Sequence, residues 1–188
     1  MSLLSIEHSK AAYAADVALY AAAVVAGAAT LLARGPAALW LPLLACTLAG
    51  LVGWTAIEYG LHRFVLHGLA PFSRWHLQHH QRPSALICAP TLLSASLIAG
   101  LIFVPTLLAS DAWFALAFTL GVLIGYLTYT VTHHATHHWR ADGAWLRRRK
   151  RWHALHHRPG TPMACYGVTS DFWDRVFGSR PRAAPPPR

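Results

Sequence analysis

Residues 74–80 read RWHLQHH, and residues 151–157 read RWHALHH. Arg, Trp and three His return at identical spacing, and nothing between the two copies repeats. On a helix, positions i, i+3 and i+4 share a face, so each HxxHH is expected to present three imidazoles as one patch. Neutral imidazole suits iron, zinc and copper. A phrase of this kind stated twice suggests two quasi-equivalent half-sites and a two-metal centre.

Each copy follows a further group of histidines. HRFVLH supplies His62 and His67 before the first, and HHATHH supplies His133, His134, His137 and His138 before the second. His62 and His67 are five residues apart, about 140° around a regular helix. They must therefore address a site from two directions, or the helix must loosen there. HHATHH admits two registers with i, i+4 spacing, His133/His137 or His134/His138. Counting at about 100° per residue, His133 and His137 continue a line through Tyr126 and Thr130. His134 and His138 continue the apolar face of Leu123, Leu127 and Val131. The polar line selects His133 and His137. The lone His8 reads as an interfacial polar residue.

The rest of the chain explains where these groups lie. Of 188 residues, 55% are hydrophobic and 12% charged, too apolar for an ordinary water-soluble domain. Four runs, roughly 12–33, 37–58, 85–109 and 112–131, are long enough to cross a bilayer as helices. RGP (34–36) and SD (110–111) are short enough for tight antiparallel joints. The expected fold is all-α and integral to the membrane. It comprises one domain over 1–180 with four transmembrane helices, a His-rich cap from 59–84 and 132–180, and a Pro-rich disordered tail at 181–188. Fifteen of the sixteen Lys and Arg fall on the cap side, with Arg34 alone opposite, so the cap is expected to be cytoplasmic. All 13 His fall on that same side.

MSLLSIEHSK lacks a basic leader region, so no cleaved signal peptide is expected. Abundant Ala and the preference for Arg over Lys point to a bacterial gene and an inner-membrane location. Cys46, Cys88 and Cys165 form no disulfide pattern. Glu58 lies four residues before His62 on the same helical face. It is the candidate carboxylate behind the histidines, its alternative being a headgroup-level carboxylate. Asp142, Asp171 and Asp174 are weaker candidates, and 171–177 reads as a packing element that closes the cap. Trp75 and Trp152 read as interfacial anchors.

The order HX4H, HX2HH, HX3H, HX2HH, followed by YGVTSDFWDRVFGS at 166–179, resembles the fatty acid hydroxylase/sterol desaturase superfamily of integral-membrane di-iron enzymes. The resemblance implies metal ligands at His62, His67, His76, His79, His80, His133, His137, His153, His156 and His157. It implies two iron ions (zinc being a substitute in purified protein), dioxygen as co-substrate, and a lipid or fatty-acyl substrate entering from the bilayer. It also implies hydroxylation or desaturation, with electrons from a separate ferredoxin- or b-type-cytochrome-like protein. Fatty acid 2-hydroxylases often carry Asp after the Tyr before the third box. Here Thr130 follows Tyr129, which points away from that branch. The alternatives are a carotenoid ring hydroxylase, which usually has HX4H at the third box, and a non-catalytic metal-binding membrane protein. The pI of about 10.2 alone would suit nucleic acid, but a chain embedded in lipid is not expected to bind it.

Overall fold

A computed structural model describes residues 6–158 and 164–180. The Pro-rich tail at 181–188 lies outside the described residues. Four helices are long and apolar enough to cross a membrane: Lys10–Arg34, Ala37–Leu66, Thr91–Ala109 and Ala112–His138. The first is helix α1 (Lys10–Arg34), opened by Ser9, whose side chain accepts from the Ala12 amide at 3.2 Å. After a short turn, α2 (Trp40–Gly60) runs into a π-helical turn over Leu61–Leu66. The short α3 (Phe72–Gln81) carries the first HxxHH. The third span joins α4 (Thr91–Ile98) to α5 (Val104–Ala109) through a second π-helical turn, just before Pro105. Pro105 has no amide hydrogen to offer, and local widening of the helix accommodates its ring. The long α6 (Ala112–His138) starts at Asp111, which accepts from the Trp113 and Phe114 amides. The second HxxHH lies on α7 (Ala144–His156), and α8 (Phe172–Val176) closes the described chain.

The spans differ from their sequence-based limits in two ways. The third begins at Thr91 rather than 85, because Ile87 instead forms an isolated antiparallel bridge with Glu7, and Arg82 pairs with Glu7 at 3.0 Å. The second and fourth run on as helix past 58 and 131 to Leu66 and His138, so His62, His133 and His137 ride on the spans themselves. Hydropathy ends where polar residues begin, but the hydrogen-bonded helix does not.

Helix α6 is the centre of the bundle and packs most extensively on α2. Ala115, Ala117, Leu120 and Val122 are buried along it. The two axes come close because glycines face backbone: a Cβ on Gly121 would collide with the Thr47 carbonyl oxygen, and one on Gly50 with that of Phe118. Small residues are what close helix approach in a membrane requires. Leu19, Val25, Leu41, Val52, Leu101 and Leu108 stay exposed, forming the surface that lipid would cover. Asp16, anomalous within an apolar run, is 5% exposed and faces the bundle interior. That is where a membrane-embedded carboxylate costs least.

Candidate metal centre

The structure brings all ten sequence-predicted histidines together, but not as two patches of three plus their pairs. They form two clusters of five, with one ring nitrogen from each member lying within 4.8 Å of the others. The first holds His62, His67, His76, His80 and His156, and the second His79, His133, His137, His153 and His157. In each HxxHH the i and i+4 imidazoles stay with the pair that precedes that copy, while the i+3 imidazole crosses to the other cluster. His79 leaves the first half and His156 leaves the second. The one-patch reading of HxxHH is thereby corrected. Positions i+3 and i+4 diverge by about 100° around the helix, enough for facing helices to share them out.

The π-helical turn settles how His62 and His67 meet. An i→i+5 turn places residues five apart one above the other, and the two rings stack with centroids 5.2 Å apart at 30°. The widened turn is held by Arg63, whose Nη1 donates to the Tyr59 hydroxyl at 2.6 Å, and by His62 Nδ1 against the Tyr166 carbonyl at 2.5 Å. On α6 the ordinary i, i+4 spacing suffices, and the His133 and His137 centroids are 5.0 Å apart. His134 and His138 lie outside both clusters, stacked on each other, with His134 also against Tyr13 of α1. Below His133 lies Tyr129, parallel to it at 5.7 Å, rather than Thr130. The hydroxyl of Thr130 is turned back onto the Tyr126 carbonyl. His8 is elsewhere, its amide bonded to Leu86.

The interior of each cluster is built of converging Nε2 atoms. His76 Nε2 lies 3.0 Å from that of His62 and 3.1 Å from that of His80, and His67 Nε2 lies 3.0 Å from that of His156. In the second cluster His153 Nε2 is 2.8 Å from His137 Nε2 and 3.0 Å from His157 Nε2. Two nitrogens bound at right angles to one ion, each about 2.0–2.1 Å away, stand about 2.9 Å apart. The donor set therefore fits a metal ion in each cluster. The rings are also in the protonation state that binding needs. Burial, followed by repulsion from neighbouring imidazoles, holds His67 and His79 down to about 3. Burial likewise lowers His80 and His156 to about 4, and His153 further below its ordinary value. At neutral pH they are uncharged, with lone pairs free for a metal.

Glu58, singled out by its position on the His62 face, enters neither cluster. Its carboxylate accepts from the Val168 and Thr169 amides at 2.7 and 2.9 Å and from the Thr169 hydroxyl at 2.5 Å. Asp174 is fully buried and accepts from the Tyr166 and Gly167 amides, the Trp152 indole and the Ser179 hydroxyl. Trp152 is thus tied into the cap rather than anchored at an interface, whereas Trp75 packs edge-on against Phe72. Asp171 gathers Arg148, Arg149 and Arg175. Burial pushes its carboxyl up, but hydrogen bonds from Arg175 and Arg148 outweigh that and hold it at about 2. The sequence signal for this closure is YGVTSDFWD, of which 171–177 reads as a packing element, Asp171 and Asp174 as weaker carboxylate candidates, and the whole as part of the family-like tail. The part played by the Ala164 and Tyr166 carbonyls, which take His156 Nδ1 at 2.8 Å and His62 Nδ1, left no mark in side-chain identity.

The sequence profile of the fatty acid hydroxylase family matches residues 47–179, a stretch that contains both clusters and their closing segment. The chain belongs to the fatty acid hydroxylase family. It is 34% identical over 143 residues to the ceramide very long chain fatty acid hydroxylase scs7 of Schizosaccharomyces pombe, covering 69% of this chain and 40% of that protein. It is 36% identical to the dihydroceramide fatty acyl 2-hydroxylase FAH2 of Arabidopsis thaliana, covering 70% and 59% respectively. The match thus spans about two-fifths to three-fifths of the length of these relatives. A solved structure described as full length scs7p, with only the hydroxylase domain visible, superposes with a TM-score of 0.77 at 25% identity, covering 93% of this chain and 67% of that one. Both of these relatives are named for hydroxylation of ceramide or dihydroceramide fatty acyl groups, the branch from which Thr130 points away.

Proposed function

We propose that this protein is a membrane-embedded, dioxygen-dependent hydroxylase of lipid acyl chains, holding two iron ions through ten histidines and no carboxylate. The observation that carries the reading is the pair of interlocked clusters, each with five converging imidazoles. Bound iron supplies the oxidising power for an unactivated C–H bond; the chain supplies position and exclusion of water. His62, His67, His76, His80 and His156 would hold one ion, and His79, His133, His137, His153 and His157 the other. Burial keeps the imidazoles neutral, and the segment held by Glu58 and Asp174 closes the cap over them. Because His62, His133 and His137 sit at the ends of spans, an alkyl chain lying among the helices can approach the centre without leaving the apolar phase. Hydroxylation consumes dioxygen, two electrons and two protons, and yields the alcohol and water. The electrons are assigned to a separate redox protein. The names of the relatives favour hydroxylation over desaturation and an acyl chain of a ceramide-like lipid as substrate.

The Lys and Arg distribution further supports a cytoplasmic cap, and the abundance of Ala with Arg preferred over Lys is the basis for placing it in a bacterial inner membrane. Iron analysis of purified protein, together with lipid profiles of cells with and without the gene, tests the proposal. Two irons per chain and gene-dependent hydroxylated acyl chains are expected. Fewer than two irons, or a change confined to carotenoids, would overturn it. A reporter fused after Arg188 should be active only in the cytoplasm.

A further inference from the structure

The segment at 164–169 touches the two clusters unequally. Its Ala164 and Tyr166 carbonyls take the Nδ1 atoms of His156 and His62, both members of the first cluster. In the second cluster, Nδ1 of His153, Nδ1 of His157 and both ring nitrogens of His79 are buried with no hydrogen-bond partner among the described residues. The segment is itself clamped from two sides, by Glu58 through Val168 and Thr169 and by Asp174 through Tyr166 and Gly167. Both carboxylates are deeply buried, at 4% and 0% exposure, and neither belongs to a cluster. Between the two carbonyls, Cys165 sits at φ 60, a left-handed conformation that a residue with a side chain keeps only when its surroundings impose it.

We propose that Glu58 and Asp174 are positioning residues that make the two metal sites unequal: the cluster of His62, His67, His76, His80 and His156 binds its ion first and more tightly, and the cluster around His79 holds the exchangeable ion. The inference rests on the two-metal reading above. A carbonyl on Nδ1 keeps the proton there, turns the Nε2 lone pair inward and raises its basicity. An imidazole without such a partner must select its tautomer and orientation as the metal arrives, and that ordering weakens binding. Two of the five rings are pre-set in this way in the first cluster. In the second, at least three lack the partner that would do it.

The test uses the full chain purified in detergent, stripped of metal, and equilibrated with zinc at a series of chelator-buffered free concentrations. Bound zinc per chain is then measured. Wild type is expected to fill in two steps with a plateau at one ion, the steps separated by about 10–100-fold. His67→Ala should remove the tight step and His133→Ala the weak one. Glu58→Ala should weaken the tight step by a similar factor, so that the plateau disappears. Glu58→Gln retains an oxygen for the Val168 and Thr169 amides and should restore it. Thr169→Val removes only the hydroxyl contact and should shift the tight step part-way; it carries the test if Glu58→Ala does not fold. Two ions filling wild type in one unresolved step, loss of the tight step in His133→Ala, or Glu58→Ala and Thr169→Val with unmoved tight steps would each overturn the inference. Wild type that takes up fewer than two zinc ions would instead overturn the two-metal reading itself.

Discussion

Helix α2 delivers His62 and His67 through a π-helical turn, whereas α6 delivers His133 and His137 from an ordinary α-helix. The products are alike, two imidazoles on one face about 5 Å apart. What differs is what stands behind them. The α2 end is backed by Tyr166 and the clamped segment, while the α6 end is backed by the ring of Tyr129. The HxxHH copies differ in the opposite sense, since it is the second copy that is tied to the cap, Trp152 being bonded to Asp174, while Trp75 has Phe72 as its ring contact among the described residues. A pseudo-symmetric sequence has folded into a pseudo-symmetric centre whose halves are supported differently. The C-terminal segment, present once, meets the first cluster directly through its carbonyls and the second only through Asp174 and the Trp152 indole.

The strongest way to break the comparison is through the crossing histidines. If the halves were independent, His156→Ala would empty the cluster of its own helix. The geometry instead predicts that it depletes the His62 cluster, and that His79→Ala depletes the His133 cluster. Turnover should fall by more than about 100-fold in each, and equally in His80→Ala and His157→Ala, whose rings stack at 4.1 Å. Product formation and metal content on the same membrane-inserted protein are the measurements. Loss of metal from the wrong cluster would show that the histidines are partitioned differently.

A smaller effect comes from the packing that sets the halves side by side. Gly121→Ala puts a methyl group into the Thr47 carbonyl, so α2 and α6 must separate. Overpacking of this kind costs about 1–3 kcal/mol, so the melting temperature should fall and metal should be lost from both clusters. Loss from one alone would mean that the glycine contact does not fix their relative position.

Acidification of metal-free protein probes the burial that both halves share. His80 and His156 titrate at about 4, and His67 and His79 at about 3, in the folded chain. An unfolded imidazole titrates at about 6.5. Between those values the unfolded chain binds more protons, so stability rises with pH. It should be complete above about 6.5, fall steadily as the pH drops below that value, and level off once the pH has passed 4 and then 3. Thermal melts at pH 7.5, 6 and 5 check this, and a flat series would contradict it.

The smallest effect expected is that of His134→Ala. His134 stacks on Tyr13 and His138 outside the clusters, so activity and metal content should change by no more than about two-fold. A loss as large as that of His133→Ala would mean that the other register of HHATHH does the binding.

Read as sequence, the chain discloses its spans, its family and the ten histidines that converge, because hydropathy runs and box spacing are local properties of a polymer. Even the π-helical turn is hinted at by five-residue spacing that a regular helix does not bring onto one face. The span limits were less legible, since Ile87 bridges to Glu7 and α6 continues past its apolar stretch. Tertiary structure alone decided three things. It sent His79 and His156 across to the opposite clusters, because which side of an HxxHH meets which partner depends on how α3 and α7 lie against one another. It gave Glu58 its task through Val168 and Thr169, 110 and 111 positions away in the chain. And it used the carbonyls of Ala164 and Tyr166, groups that every residue carries, so no choice of side chain could have announced them.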